Sequence, residues 1–96
     1  SFRKIVNLNV LNVVPNIEGN RLRDTIVKHI GRILAPGGVA VITTRGKDVL
    51  TIKGEHGPEP DSRISSIGTY QKGFTKQELE DYLKYMLGCS KIYIQF

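Results

Sequence analysis

A parallel α/β sheet is the fold class that the sequence predicts. Two observations carry it. β-Branched stretches at Ile5 to Val14 and Val39 to Thr44 flank a segment whose apolar residues recur at helical spacing, which is the pattern of a βαβ unit. A polar stretch, a second helical segment and an alternating segment follow. The order is strand, helix, strand, loop, helix, strand, and right-handed crossovers turn that order into a parallel sheet.

Each element has its own justification. Ile5 to Val14 reads as a strand and a turn closing at Pro15, with Asn7 and Asn9 on one face. Asn20 is the expected helix N-cap. Leu22, Ile26, Ile30, Ile33 and Leu34 mark the apolar side of the first helix, with Arg21, Arg23, Lys28 and Arg32 as its wet side. Gly31 either weakens this helix by about 1 kcal/mol relative to alanine or permits close approach to the sheet. Pro36-Gly37-Gly38 ends it. The continuous apolar run Val39 to Thr44 predicts a strand covered on both faces.

Residues 46–73 are expected to form a mobile loop region over the substrate side, or a disordered one, because Glu55 to Ser62 has almost nothing to bury. Within it, Lys47 to Lys53 extends a strand or forms a short hairpin arm. Thr75-Lys76-Gln77-Glu78 is a capping box. It opens a helix with Leu79, Tyr82, Leu83, Met86 and Leu87 on its apolar face and Gly88 at its end. Lys91 to Phe96 alternates, with Ile92, Ile94 and Phe96 on one face, as in an edge or half-buried strand.

Ninety-six residues make one domain at most, a single unit over 1–96. Hydrophobic content of 40% and charged content of 24% are those of a soluble globular chain. No apolar run approaches the roughly 20 residues that span a bilayer, and no membrane role is expected. The first 15 residues lack the small-residue cleavage site of a signal peptide. The lone Cys89 cannot form an internal disulfide, which fits a reducing, cytoplasmic setting. The net charge of +5 is spread along the chain. It serves solubility, and it permits a nucleic-acid partner without indicating one.

The ordered set of VLNVVP at Val10 to Pro15, a helix from Arg21 to Leu34, LAPGG at Leu34 to Gly38 and a strand ending at Arg45 resembles one family. It is similar to the second half of the catalytic domain of class I S-adenosylmethionine-dependent methyltransferases. Gly68 to Phe74 (GTYQKGF), followed by Thr75 to Leu87, resembles the substrate-side loop and next helix of such enzymes. The resemblance covers nearly the whole chain and implies a partial Rossmann-like sheet. It implies methyl transfer by direct displacement, with S-adenosylmethionine as cofactor and an acceptor that the sequence does not name. The family's glycine-rich loop, its acidic ribose-holding residue and its last antiparallel strand are not in this sequence. The resemblance therefore implies a domain completed by an upstream half or a second chain, with poor cofactor binding by this chain alone.

By the same resemblance, Asn9, Val10 and Leu11 meet the methionine part of the cofactor, and Asn12 faces the substrate. Arg45 binds a substrate carboxylate or phosphate, while Tyr70 and Phe74, with Gln71, wall the substrate pocket. A plainer role stays open for each: the asparagines satisfy turn backbone, Arg45 is a surface arginine, and Tyr70 and Phe74 pack a helix entrance. No catalytic residue is assigned, since displacement at a sulfonium carbon needs alignment rather than a covalent nucleophile. Asn12 to Pro15 lacks the Pro-Pro-aromatic pattern of base amino methylation. Neither His29 nor His56 has a ligand-spaced partner, so no metal site is expected. The alternative reading is a non-enzymatic basic module that binds nucleic acid or protein. An exposed first strand would also invite self-association.

Overall fold

The structure is a computed structural model that describes residues 2–88 and 91–95, so Cys89 and Phe96 lie outside the described residues. Its elements are β1 (Phe2–Leu8), α1 (Leu22–Ile33), β2 (Leu34–Thr43), a 3-10 turn (Lys47–Thr51), β3 (Gly54–His56), β4 (Ser62–Ser65), β5 (Tyr70–Lys72), α2 (Lys76–Leu87) and β6 (Lys91–Gln95). β1, β2 and β6 form a parallel sheet in that order, and β3, β4 and β5 form a separate antiparallel sheet. The chain is thus α/β, as expected, but the segment read as a loop carries a sheet of its own. Three parallel strands in this order do not by themselves define a Rossmann-like or methyltransferase sheet.

Register follows the apolar rows. Ile5 lies beside Ala40 and Ala40 beside Ile92, while Asn7 lies beside Ile42 and Ile42 beside Ile94. These rows join the core, where Ala40 and Ile42 meet Val27 and Ile30 of α1 and Leu79 and Leu83 of α2. The next row, Val6, Val41 and Tyr93, belongs to the opposite face, because side chains alternate along a strand. Val6 is 51%, Leu8 61% and Tyr93 57% exposed. β2 was expected to be covered on both faces, yet it alternates buried and half-buried residues from Gly38 to Thr43. The cause is topological. Both crossovers step the same way, β1 to β2 to β6, and equal handedness puts both helices on one side. The accessible surface of 5993 Å² exceeds the about 5500 Å² of a compact protein of this mass, in keeping with that bare face.

Local chemistry explains the boundaries. Helix α1 begins after Arg21, which makes no side-chain cap, rather than at the expected Asn20. Asn20 instead exchanges backbone hydrogen bonds with Ile17. Leu34 already belongs to β2, and the Pro36-Gly37-Gly38 segment sits in a register shift between Leu34 and Val39. Gly31 gives close approach to α2 rather than to the sheet: an added Cβ would lie 2.9 Å from Leu87 Cδ2. The capping box at Thr75 and Glu78 is present with both bonds at 3.0 Å. Gly54 opens β3 at φ 151, where a Cβ would lie 2.0 Å from the Ile64 carbonyl oxygen. No side chain fits there.

Truncating the fully buried Leu83 to alanine is expected to lower stability by about 3 kcal/mol. Tyr85→Ala, at a residue 86% exposed on the same helix, is expected to change it by less than about 0.5 kcal/mol. Urea denaturation midpoints of the two variants check this ordering.

Candidate functional site at the carboxyl edge of the parallel sheet

β1 ends at Leu8, and Asn9 turns the chain with φ 52. Asparagine tolerates this left-handed conformation better than most residues. Its backbone N–H donates to both the carbonyl and the hydroxyl oxygen of Thr43, each at 2.9 Å. Asn9 is exposed and Val10 half-buried, whereas Leu11 and Asn12 are buried. Residues 10–13 form a turn closed by the Val13 N–H on the Val10 carbonyl.

Asn12 is held on two sides by β5. The Lys72 N–H donates to its carbonyl at 2.7 Å, and its own Nδ2 donates to Gln71 Oε1 at 3.0 Å. Its Oδ1 is buried without a hydrogen-bond partner among the described residues, as is Thr44 Oγ1 just after β2.

The centre of this edge is Arg23, which the sequence reading placed on the wet side of α1. It is only 3% exposed. Nε donates to the Leu11 carbonyl at 2.8 Å and Nη2 to the Val14 carbonyl at 2.7 Å. Nη1 and Nη2 grip the two carboxylate oxygens of Glu59 at 2.7 and 2.9 Å. This is the fork geometry in which arginine binds a carboxylate most strongly. Glu59 also accepts from the Tyr70 hydroxyl and from the Asn16 N–H. Arg23 and Lys72 lie 5.2 and 4.9 Å from the Phe74 ring centroid, within range of cation–π attraction.

Three further contacts tie the cluster down. Asp24 accepts from Asn16 Nδ2 at 3.0 Å and from the Tyr82 hydroxyl at 2.6 Å, which links α1 to α2. Lys47 pairs with Asp61, joining the 3-10 turn to the stretch before β4.

Leu11 and Phe74 therefore meet Arg23 and Tyr70 meets its partner Glu59, while Asn12 is bound to Gln71 and Lys72 of β5. Asn9 stays outside that cluster as an exposed turn residue. Arg45 also stays outside: its guanidinium is exposed and bound to Asp48 at 2.6 Å, and only its carbonyl reaches the site, accepting from the Phe74 N–H. Asn12 and Phe74 are buried and Tyr70 is half-buried. The sequence reading missed Arg23, Glu59 and Asn16. One signal was available. Arg23, Val27 and Ile30 are the buried positions of α1, and their spacing is as helical as that of the residues read as apolar, with Arg23 on the stripe. His29 and His56 are exposed, and the described residues hold no group of three or more potential metal ligands.

Burial pushes the Glu59 carboxyl up, but Arg23, Tyr70 and the Asn16 N–H outweigh it and hold the group below its ordinary value of 4.5. Burial and the Glu59 bond push the Tyr70 hydroxyl up to about 12, so it remains a donor. A carboxyl with a lowered folded-state pKa stabilises the fold above its unfolded pKa, and that stabilisation is lost as pH falls through the folded value. Glu59→Gln is expected to lower stability at neutral pH by roughly 3 kcal/mol. The gap to the wild-type chain should narrow as pH falls below the ordinary carboxyl value of 4.5 and through the lowered folded-state one. Thermal melts of both proteins from neutral pH into acid measure it.

No family model, curated protein or solved structure matches this chain, so what it does has to be read from the geometry of these residues.

Proposed function

We propose that this chain is the substrate-side half of a class I S-adenosylmethionine-dependent methyltransferase, completed by an upstream half or a second chain. The observation that carries the reading is the pair of same-sided crossovers, which leaves Val6, Leu8 and Tyr93 on a bare sheet face. Open α/β sheets of nucleotide-binding proteins carry helices on both faces, and a complementing half would supply the missing layer. The resemblance of VLNVVP, LAPGG and GTYQKGF to that family supplies the chemistry.

The residues at the carboxyl edge fit one flank of the cofactor. Asn9 and Val10 offer an accessible strand end, while Leu11 is closed off, with its side chain in the core and its carbonyl taken by Arg23. Bound cofactor would supply the electrophilic methyl carbon. The chain's own part is orientation and exclusion of water. With Nδ2 committed to Gln71, Asn12 has Oδ1 left to accept a hydrogen bond, and an acceptor bearing an N–H or O–H suits it. Because Asn12 and Phe74 are 2% and 5% exposed, such a group reaches them only when β5 moves aside. Arg45 sits at the rim, where an anionic substrate group would compete with Asp48.

A second reading, a basic module for nucleic acid, rests on one feature. Arg21, Lys28 and Arg32 are exposed at helical spacing along α1. It predicts binding by the isolated chain that weakens steeply with salt.

Calorimetric titration of S-adenosylmethionine and S-adenosylhomocysteine into this chain, and into a longer chain carrying an upstream half, separates the readings. The methyltransferase reading expects one-to-one binding by the longer chain and little by the short one. In the active longer chain, Asn9→Ala and Arg45→Ala should each lower kcat/KM by about tenfold or more. Full activity in both variants would sink the site assignment. Absence of binding by either chain would sink the methyltransferase reading.

A further inference from the structure

Four donors converge on one carboxylate at the carboxyl edge: Nη1 and Nη2 of Arg23, the Tyr70 hydroxyl and the Asn16 N–H. The Arg23 fork is itself fixed by the Leu11 and Val14 carbonyls and by the Phe74 ring. These donors belong to the 9–21 loop, α1 and β5, whereas the carboxylate is brought by Glu59 from the turn between β3 and β4. A rigid guanidinium fork with two flanking donors is a carboxylate-recognition site. Here the chain's own side chain fills it. The Arg23 and Glu59 side chains are 4% and 10% exposed, so both partners are nearly buried.

We infer that Arg23, Asn16 and Tyr70 form a binding site for the carboxylate of a small-molecule ligand, which Glu59 occupies as an internal competitor. An incoming carboxylate would take the Arg23 fork and the Asn16 N–H, and Glu59 would turn out to water. Its departure would also release Tyr70, and with it one of the contacts that hold β5 over Asn12. The site stands apart from the methyl-transfer reading, since neither cofactor nor methyl acceptor enters its test.

The test is a titration of sodium acetate into the wild-type chain and Glu59→Gln at ionic strength held constant with chloride. The Arg23 Nε–H and Asn16 N–H resonances are followed by 1H–15N NMR. Saturable shifts of both are expected in both proteins, with a Kd about tenfold lower or more in Glu59→Gln. Arg23→Lys in the Glu59→Gln background should abolish saturation, because a lysine offers no fork. Equal Kd values with and without Glu59, or no saturable shift in Glu59→Gln, would overturn the inference. Tighter binding of inorganic phosphate than of acetate would overturn the carboxylate assignment. Should Glu59→Gln not fold, the wild-type chain decides alone. Saturation by about 0.1 M acetate supports the site, and unmoved resonances at that concentration, where millimolar binding is complete, overturn it.

Discussion

The burial of one guanidinium organises the carboxyl edge of this protein. A charge removed from water is tolerated only where partners replace its hydration, and Arg23 has so little exposure that the replacement is nearly complete. Its partners come from distant parts of the chain. The Leu11 and Val14 carbonyls lie in the loop after β1, Glu59 lies between β3 and β4, and Phe74 lies just before α2. Satisfying one side chain therefore fixes where the first loop, the antiparallel sheet and the start of α2 sit relative to α1. Without Glu59, Arg23 would be a buried cation short of its counter-ion. Without Arg23, two carbonyls would lose their donors.

The same economy governs the parallel sheet. Its helices share a face because its crossovers share a direction, and the covered rows carry Ile5, Ala40, Ile42, Ile92 and Ile94 while the uncovered row carries Val6, Val41 and Tyr93. The middle row of the uncovered face is apolar, and the rows on either side of it add the polar residues Lys4 and Thr43. β2 carries β-branched residues on both sides, and the helices pack on one of them. The expectation drawn from Val39 to Thr44 thus described the strand's composition correctly and its surroundings incompletely.

What could be read from the sequence follows from the range of the interactions. The capping box of α2, its apolar stripe and the strand–helix–strand order depend on neighbours a few residues apart, and they appear as read. The antiparallel sheet does not. Its strands are three or four residues long, and β3, Gly54–His56, is exposed throughout. Such strands are ordered by partners far along the chain, and no period of two can show in three residues. The stripe of α1 failed for a related reason. Leu22 and Arg23 sit side by side, and hydrophobicity favours Leu22 for the interior. The structure leaves Leu22 42% exposed and buries Arg23, because only the arginine can bind the two loop carbonyls and Glu59. Of the predicted site residues, Leu11 meets Arg23 through its carbonyl, Phe74 through its ring, and Tyr70 meets Glu59 through its hydroxyl. Arg45, chosen as the anion binder, has its own carboxylate three residues away in Asp48.

The charges at this edge also revise the picture of a net +5 spread evenly over a wet surface. Arg23 and Lys72 bracket one phenyl ring, and Lys47 and Lys72 both approach the Glu78 carboxylate, at 3.8 and 3.7 Å. Each is balanced by an acid that the central sheet does not supply: Glu59 and Asp61 from the turn between β3 and β4, and Glu78 from the first turn of α2. The cations frame the edge, and the acids lie on the segments that cover it. The antiparallel sheet is held to this edge by the Arg23–Glu59 pair and by the hydrogen bonds that join Asn12 to Gln71 and Lys72 of β5.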